Sequence, residues 1–518
     1  MALEAFWLPL LPAYLIGLLA SWALEALLLP RPQAPWRRGA AANLTHVGVW
    51  TLAFALEMAL FQRPYFAIAN VLAIELLLVL VSRAKYEALQ EPFVYPDFEY
   101  FTDAIKHPRL YLPFFGWGKA LVCAGGYGVA LWGGLVLEAP FTARSYGLNG
   151  VVYYPACAAL VVVGLAVAIA AGRRINVNFD TDSDLIREGL VGALWAYARA
   201  ERAPINDEIW MSSPFFHAPV LRPAIDTLPD LISIQSESFF DVRRAYPFVR
   251  KDVLTGFDEL CVEAIAHGEL EVAARGANTV RTEFAFLSGI DPEKLGVHRY
   301  NPYRKLAKQG GPTLATYLKA LGYRTVCIHP YHGSFYSRDK VLPKLGFDEF
   351  IDLASFCEDD KVGAYVGDMA LAEKTITLLS DKASGQPIYI HVITMENHGP
   401  LHMEEITSSC MKEMLLQPLR HDCNELIAYL RHIKNADRMF MQLRGNLKSR
   451  TRSARLCLFG DHVPIMPKVY KGLGPVSGSS DYVIWTDGAS VERPSIKKKV
   501  HELAKDLVGT VSCGWRGL

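Results

Sequence analysis

The spacing of apolar positions along this 518-residue chain changes character once. Five apolar stretches dominate the first 172 residues: Phe6–Leu29, Val47–Phe61, Tyr65–Val81, Leu112–Leu137 and Val151–Gly172. Crossing about 30 Å of hydrocarbon takes about 20 apolar residues in a helix, so the pattern predicts a bundle of about five transmembrane helices. The first stretch is no signal peptide: no Lys or Arg precedes it, and its apolar run exceeds an ordinary h-region. Glu57 and Glu75 interrupt the second and third stretches. A carboxylate within a span is a functional candidate by default, and helix packing is the simpler reading. The segment Tyr86–Leu112, with Trp, Tyr and Phe nearby, reads as partly interfacial.

Beyond residue 228 the runs become short. Leu231–Gln235, Thr325–His329, Ile388–Thr394, Leu456–Phe459 and Tyr482–Trp485 read as buried strands. Between them, segments such as Thr313–Leu321 and Met369–Leu379 carry helical spacing. That alternation predicts an α/β domain with a mostly parallel central sheet and helices on both faces. The expected organisation is a transmembrane domain over 1–175, a juxtamembrane connector over 176–228 and a catalytic domain over 229–518. The segment Met403–Arg455, rich in Met, Cys and Arg, fits no element of this plan.

Composition sharpens the division. The chain is 51% hydrophobic, with 53 Lys+Arg against 53 Asp+Glu, which excludes a disordered chain. Zero net charge removes any whole-chain electrostatic case for nucleic acid as a partner. Residues 1–172 carry 10 basic and 10 acidic side chains, about 12% charged, and the other 346 carry 43 of each, about 25%. One half is built for lipid. Nine cysteines lie at irregular spacing without a Cys-x-x-Cys pair, which speaks against structural zinc; Cys410 and Cys423 are placed to pair outside the cytoplasm.

In parallel sheets ligands collect beyond the carboxyl ends of the strands. Four groups of chemistry-bearing residues sit there. Ser236-Glu237-Ser238 follows the first strand; Glu237 is either a solvent-facing strand end or a carboxylate held by a cation. Thr279, in Gly276-Ala277-Asn278-Thr279-Val280-Arg281-Thr282-Glu283-Phe284, is either a helix N-cap partnered by Glu283 or a hydroxyl nucleophile at a helix N-terminus. Asp461-His462 offers one hard oxygen and one imidazole to a metal such as Zn²⁺ or Mn²⁺. The last group holds His329, His332, Arg338 and His398: Arg clamps phosphate oxygens, and His donates to them or protonates a leaving group. Taken singly, each is more simply a polar side chain facing solvent. Together they form a parts list for metal-assisted displacement at a phosphorus or sulfur ester.

The order of these motifs resembles one family. Ser-Glu-Ser, Asn-Thr-Val-Arg-Thr-Glu-Phe, Phe-Tyr-Ser-Arg-Asp with Leu-Gly-Phe-Asp, Asn-His-Gly-Pro and Gly-Asp-His, behind five spans, are similar to the lipoteichoic acid synthases and membrane phosphoglycerol transferases of the alkaline phosphatase/sulfatase superfamily. The resemblance implies a sulfatase-like domain in which Glu237, Thr279, Asp461 and His462 bind one divalent metal ion, typically Mn²⁺, with Zn²⁺ or Mg²⁺ as alternatives. It implies Thr279 as a nucleophile that becomes covalently esterified. It further implies Arg338 and His398 as head-group contacts, with His332 a weaker candidate. The activity implied is transfer of phosphoglycerol from phosphatidylglycerol to a glycan or polysaccharide acceptor, by a multi-pass inner-membrane enzyme of the cell envelope.

Two expectations conflict. The family places its catalytic domain outside the cytoplasm, on the periplasmic side. Arg31, Arg37, Arg38, Arg83, Lys85, Lys106 and Arg109, with Arg173-Arg174 after the last span, favour the reverse under the positive-inside rule. Within the superfamily the alternatives are a phosphoethanolamine transferase and a sulfatase or phosphodiesterase hydrolase. No Cys/Ser-x-Pro-x-Arg motif surrounds Thr279, which speaks against a formylglycine sulfatase. An inert scaffold would have lost a ligand, and all the expected ones are present.

Overall fold

The apolar runs of the N-terminal part fall within helices of the computed structural model, which describes residues 2–106, 116–141, 150–219, 224–381, 385–419, 423–488 and 493–509. The chain divides into two compact units, Met1–Pro204 and Ile205–Leu518. The division falls inside the segment read as a connector.

In the first unit the apolar helices are α1 (Ala2–Glu25), α2 (Ala40–Phe61), α3 (Pro64–Leu89), α4 (Trp117–Leu137) and α5 (Gly150–Gly172). Among the described residues, α2, α3 and Val151–Gly172 of α5 are long and apolar enough to cross a membrane, while Leu10–Glu25 and Leu121–Leu137 are shorter apolar stretches. The start of the fourth expected span, residues 112–115, lies outside the described residues. Pro64 opens α3, where its missing N–H leaves no bond unmade. The α3 N-terminus is then completed by Glu138, which accepts from Phe66 N at 2.8 Å and Tyr65 N at 3.2 Å.

Helices α2 and α5 meet through Gly48 and Gly164. A Cβ on Gly48 would lie 2.5 Å from Ala168 N, and one on Gly164 would lie 2.7 Å from Leu52 N. Small residues let the two backbones touch, which is how helices pack where lipid offers no hydrophobic drive. A further helix, α6 (Thr181–Arg202), begins at Asp180, whose side chain accepts from Ser183 N at 2.9 Å. It breaks at Gly189 (φ 70°), and the renewed helix offers Leu190 N and Val191 N to the Glu25 carboxylate at 2.8 and 3.2 Å. Glu25 also pairs with Arg38. His46 Nε2 and Ser21 Oγ share a hydrogen bond of 2.8 Å beside this pair, and Glu75 is buried nearby, facing Ser21. These polar groups therefore sit inside the helix packing rather than facing lipid.

The second unit holds an eight-stranded sheet of order β10-β2-β9-β8-β1-β7-β3-β4. Its strands are β1 (Asp230–Ser236), β2 (Ala264–Glu271), β3 (Arg324–Ile328), β4 (Glu349–Ile351), β7 (Ile388–Ile393), β8 (Ala454–Gly460), β9 (Ser480–Thr486) and β10 (Lys498–Lys499). Two short strands, β5 (Lys361–Val362) and β6 (Tyr365–Val366), pair separately. The five central-to-edge strands β8, β1, β7, β3 and β4 run parallel, while β9 is antiparallel to both β8 and β2.

Strand alternation sends successive side chains to opposite faces. Ile232, Ile234, Ile390, Val392, Leu456 and Leu458 enter one core. Leu231, Tyr389, Cys457 and Phe459 enter the other, against Phe284 and Phe286 of α8 and Leu503 and Leu507 of α11. The helices of this unit include α7 (Thr255–Glu263), α8 (Thr279–Ser288), α9 (Asp368–Ser380), α10 (Asn424–Lys448) and α11 (Val500–Val508). The segment that fitted no element contains α10, whose Leu426, Ile433, Phe440 and Leu447 cover the first core. Cys410 and Cys423 do not pair with each other, so the disulfide read as possible is not formed.

Candidate active site

Parallel pairing delivers the site. Ser236 is opposite Gly460, so β1 and β8 end side by side and the next residues, Glu237 and Asp461, emerge together. Gly460 has to be glycine: a Cβ there would lie 1.8 Å from Phe239 O. Gln235 is opposite Ile393, which brings the Thr394–His398 turn alongside, and Ile328 opposite Val392 brings His329 to the same edge.

Glu237, Asp461 and His462 are buried, and each offers a ligand atom within 4.8 Å of the others. Ser238 N donates to Asp461 Oδ1 at 2.8 Å, and Ser238 Oγ donates to Glu237 Oε1 at 2.9 Å. His462 Nδ1 lies 3.2 Å from the Val463 carbonyl, which can only accept, so this nitrogen carries the proton. The Nε2 lone pair then faces two carboxylates, 3.6 Å from Glu237 and 3.5 Å from Asp461. Asp461 Oδ2 is buried with no hydrogen-bond partner. Three electron-rich atoms facing one another in a buried space are what a divalent cation reconciles, and the N/O donor set suits Zn²⁺ or Mn²⁺. Without a cation, burial and then the Asp461 charge push the Glu237 carboxyl up to about 7.

Thr279 is the first residue of α8, and Asn278 before it takes the left-handed conformation (φ 65°) without a side-chain capping bond. Thr279 is therefore not the N-cap that spacing allowed, and Glu283 does not serve a capping box. Three residues on, Thr282 Oγ1 donates to the Asp461 carbonyl at 2.8 Å, tying the first turn of α8 to the strand end that carries Asp461 and His462.

Arg338 is almost fully buried. Its Nη2 donates to Glu283 Oε2 at 2.7 Å, and its Nη1 lies 3.1 Å from His329 Nε2. Tyr303 donates to the same carboxylate at 2.5 Å. Burial and the neighbouring guanidinium hold the His329 pKa well below the usual imidazole range. His398 Nδ1 donates to the Gly399 carbonyl at 2.8 Å, which leaves Nε2 as the acceptor, and burial lowers its pKa. His332 is exposed and its ring packs edge-on against Tyr331 at 5.2 Å. His329, at the strand end and bonded to Arg338, is the imidazole the structure brings into the network. Its position directly after an apolar strand was the available signal.

A mostly parallel sheet with a carboxylate–carboxylate–imidazole centre at its strand ends, beside a helix opening on a hydroxyl, defines a sulfatase-like enzyme of the alkaline phosphatase superfamily. The sulfatase family model matches residues 254–512, half of the chain, and the chain belongs to that family. Among its relatives, it is 26% identical over 453 residues to the capsular polysaccharide biosynthesis protein RkpI of Rhizobium meliloti (strain 1021), covering 82% of this chain and 78% of that one. It is 28% identical to a putative cyclic beta-1,2-glucan modification protein of the same organism, covering 48% of this chain and 38% of that protein. Lipoteichoic acid synthase 1 of Bacillus subtilis (strain 168) matches at 25% identity over 31% of this chain and 25% of its own length. Among solved structures, the phosphoglycerol transferase GacH of Streptococcus pyogenes in complex with sn-glycerol-1-phosphate aligns with a TM-score of 0.45 and 20% identity, covering 55% of this chain and 75% of that one.

Proposed function

We propose that the protein is a membrane-bound phosphoglycerol transferase that moves phosphoglycerol from phosphatidylglycerol to a glycan acceptor through a phospho-threonine at Thr279. The observation that carries this is the gathering of Glu237, Asp461 and His462 at two neighbouring strand ends, with the first turn of α8 tied to Asp461. Glu237, Thr279, Asp461 and His462 would hold one divalent ion, Mn²⁺ by resemblance. That ion, when bound, lowers the hydroxyl pKa and offsets phosphate charge.

The Thr279 hydroxyl attacks the phosphorus of the donor and gives its proton to the Nε2 lone pair of His398, which hands it to the diacylglycerol oxygen as that P–O bond breaks. An acceptor hydroxyl then attacks the phospho-threonine. Its proton passes to the Nε2 lone pair of His398, which hands it to the Thr279 oxygen as the P–O bond to Thr279 breaks. Arg338 orients the non-bridging oxygens. A lipid donor accounts for the apolar N-terminal unit. We place the catalytic unit on the outer face of the inner membrane, where a reporter fused after Leu518 is expected to read extracytoplasmic.

The test is diacylglycerol release by the purified full-length protein from phosphatidylglycerol vesicles with Mn²⁺, in parallel with phosphatidylethanolamine vesicles. Release from the first and not the second, lost in Thr279→Ala, is expected. Release from the second alone would make it a phosphoethanolamine transferase, and equal rates for parent and Thr279→Ala would end the proposal.

A further inference from the structure

Helix α8 does three things within five residues. It begins at Thr279, it bonds the Asp461 carbonyl through Thr282, and it grips Arg338 through Glu283. The Glu283–Arg338 pair is buried on both sides. A buried ion pair is poor evidence for stability, since apolar residues of the same volume serve at least as well, so its presence asks for another reason. Its geometry supplies one. Nε and Nη2 of Arg338 both face Glu283, and Nη1 faces His329. Glu283 is itself held by Tyr303. The guanidinium is therefore clamped along one edge and one corner, leaving one N–H each on Nη1 and Nη2 for a ligand, since five are present and three are engaged. The clamp also cancels the charge of Arg338 at close range.

Resting on the transferase reading, we propose that Glu283 is a positioning residue that sets both the aim and the effective charge of Arg338, so that the site selects singly charged phosphodiesters over doubly charged monoesters. A dianion gains more than a monoanion from an uncompensated cation and loses more when a carboxylate stands behind it. Glu283→Gln keeps the shape and removes the charge. Glu283→Asp keeps the charge and shortens its reach by one methylene.

The experiment measures binding of dimethyl phosphate and methyl phosphate to the full-length protein carrying Thr279→Ala, with and without Glu283→Gln, at pH 8, where methyl phosphate is a dianion. Glu283→Gln is expected to shift the ratio of the two affinities toward methyl phosphate by about 10-fold or more. An unchanged ratio, or no binding of either anion, would overturn the inference. Should Glu283→Gln fail to fold, Glu283→Asp decides, by binding on the Thr279→Ala background and by rate with Thr279 intact. The anion ratio is expected to hold while kcat for bis(p-nitrophenyl) phosphate falls about 10-fold with KM little changed, because misaim is felt at the transition state. A variant indistinguishable from the parent in kcat would overturn it. Failure of the transferase reading shows separately, as absence of diacylglycerol from the parent protein.

Discussion

Glu237 carries a clear pH signature. Its carboxyl titrates at about 7 in the folded protein against an ordinary value of 4.5, because burial and Asp461 disfavour its charge. The folded state thus holds a proton that the unfolded state has released, and raising the pH from 4.5 to 7 removes stability from the metal-free protein. A divalent ion must displace that proton, so its stabilising effect should grow over the same window. Thermal melts with and without Mn²⁺ are expected to show a larger metal-induced rise in Tm at pH 8 than at pH 6, and an equal rise would contradict the ligand assignment. Asp461→Asn should weaken Mn²⁺ binding by about 100-fold or more, measured by calorimetry. His398, whose pKa is lowered by burial, works as a neutral acceptor, so activity should be lost on acidification only below the ordinary histidine range, near about 6.5. A kcat–pH profile checks this, and an acid limb above that value would remove His398 from the proton-accepting role.

At the level of elements, the strand ends were legible because buried parallel strands are short apolar runs and the polar residue after each is conspicuous. Glu237, Asp461 and His462 were found that way. The Glu283–Arg338 pair was not, since it joins residues 55 positions apart and Glu283 reads as a capping partner from local spacing alone. Strand β2 (Ala264–Glu271) escaped because it is only partly buried near the edge of the sheet and carries His267, Glu269 and Glu271. Helix α10 was masked by its own Arg, Lys and Met residues, although every third or fourth position is apolar. Two elements depend on backbone contact. Gly460→Ala forces β8 away from Phe239 and should destabilise the catalytic unit by about 2–4 kcal/mol. In the membrane unit, Glu25→Ala strands the Arg38 charge and two α6 amides, at about 3–5 kcal/mol. Denaturation of each variant in detergent, followed by circular dichroism, measures both losses.

For the whole molecule, a neutral net charge averages two unlike halves. The sparsely charged half buries Glu25, Glu75 and Glu138 within its helix packing, and the other gathers Glu237, Asp461 and His462 at neighbouring strand ends. With zero net charge, the proposed transfer relies on Arg338 and a bound cation to hold anionic substrate, so it should respond only weakly to salt between 50 and 300 mM, about two-fold or less. The central claim is that Thr279 is covalently esterified during turnover. It is tested most directly by intact-protein mass spectrometry of the Mn²⁺-loaded enzyme quenched after incubation with phosphatidylglycerol and no acceptor. A mass increase of one phosphoglycerol unit, mapped by fragmentation to Thr279 and absent from Thr279→Ala, is the expected result. Diacylglycerol release with an unmodified Thr279 would contradict the account.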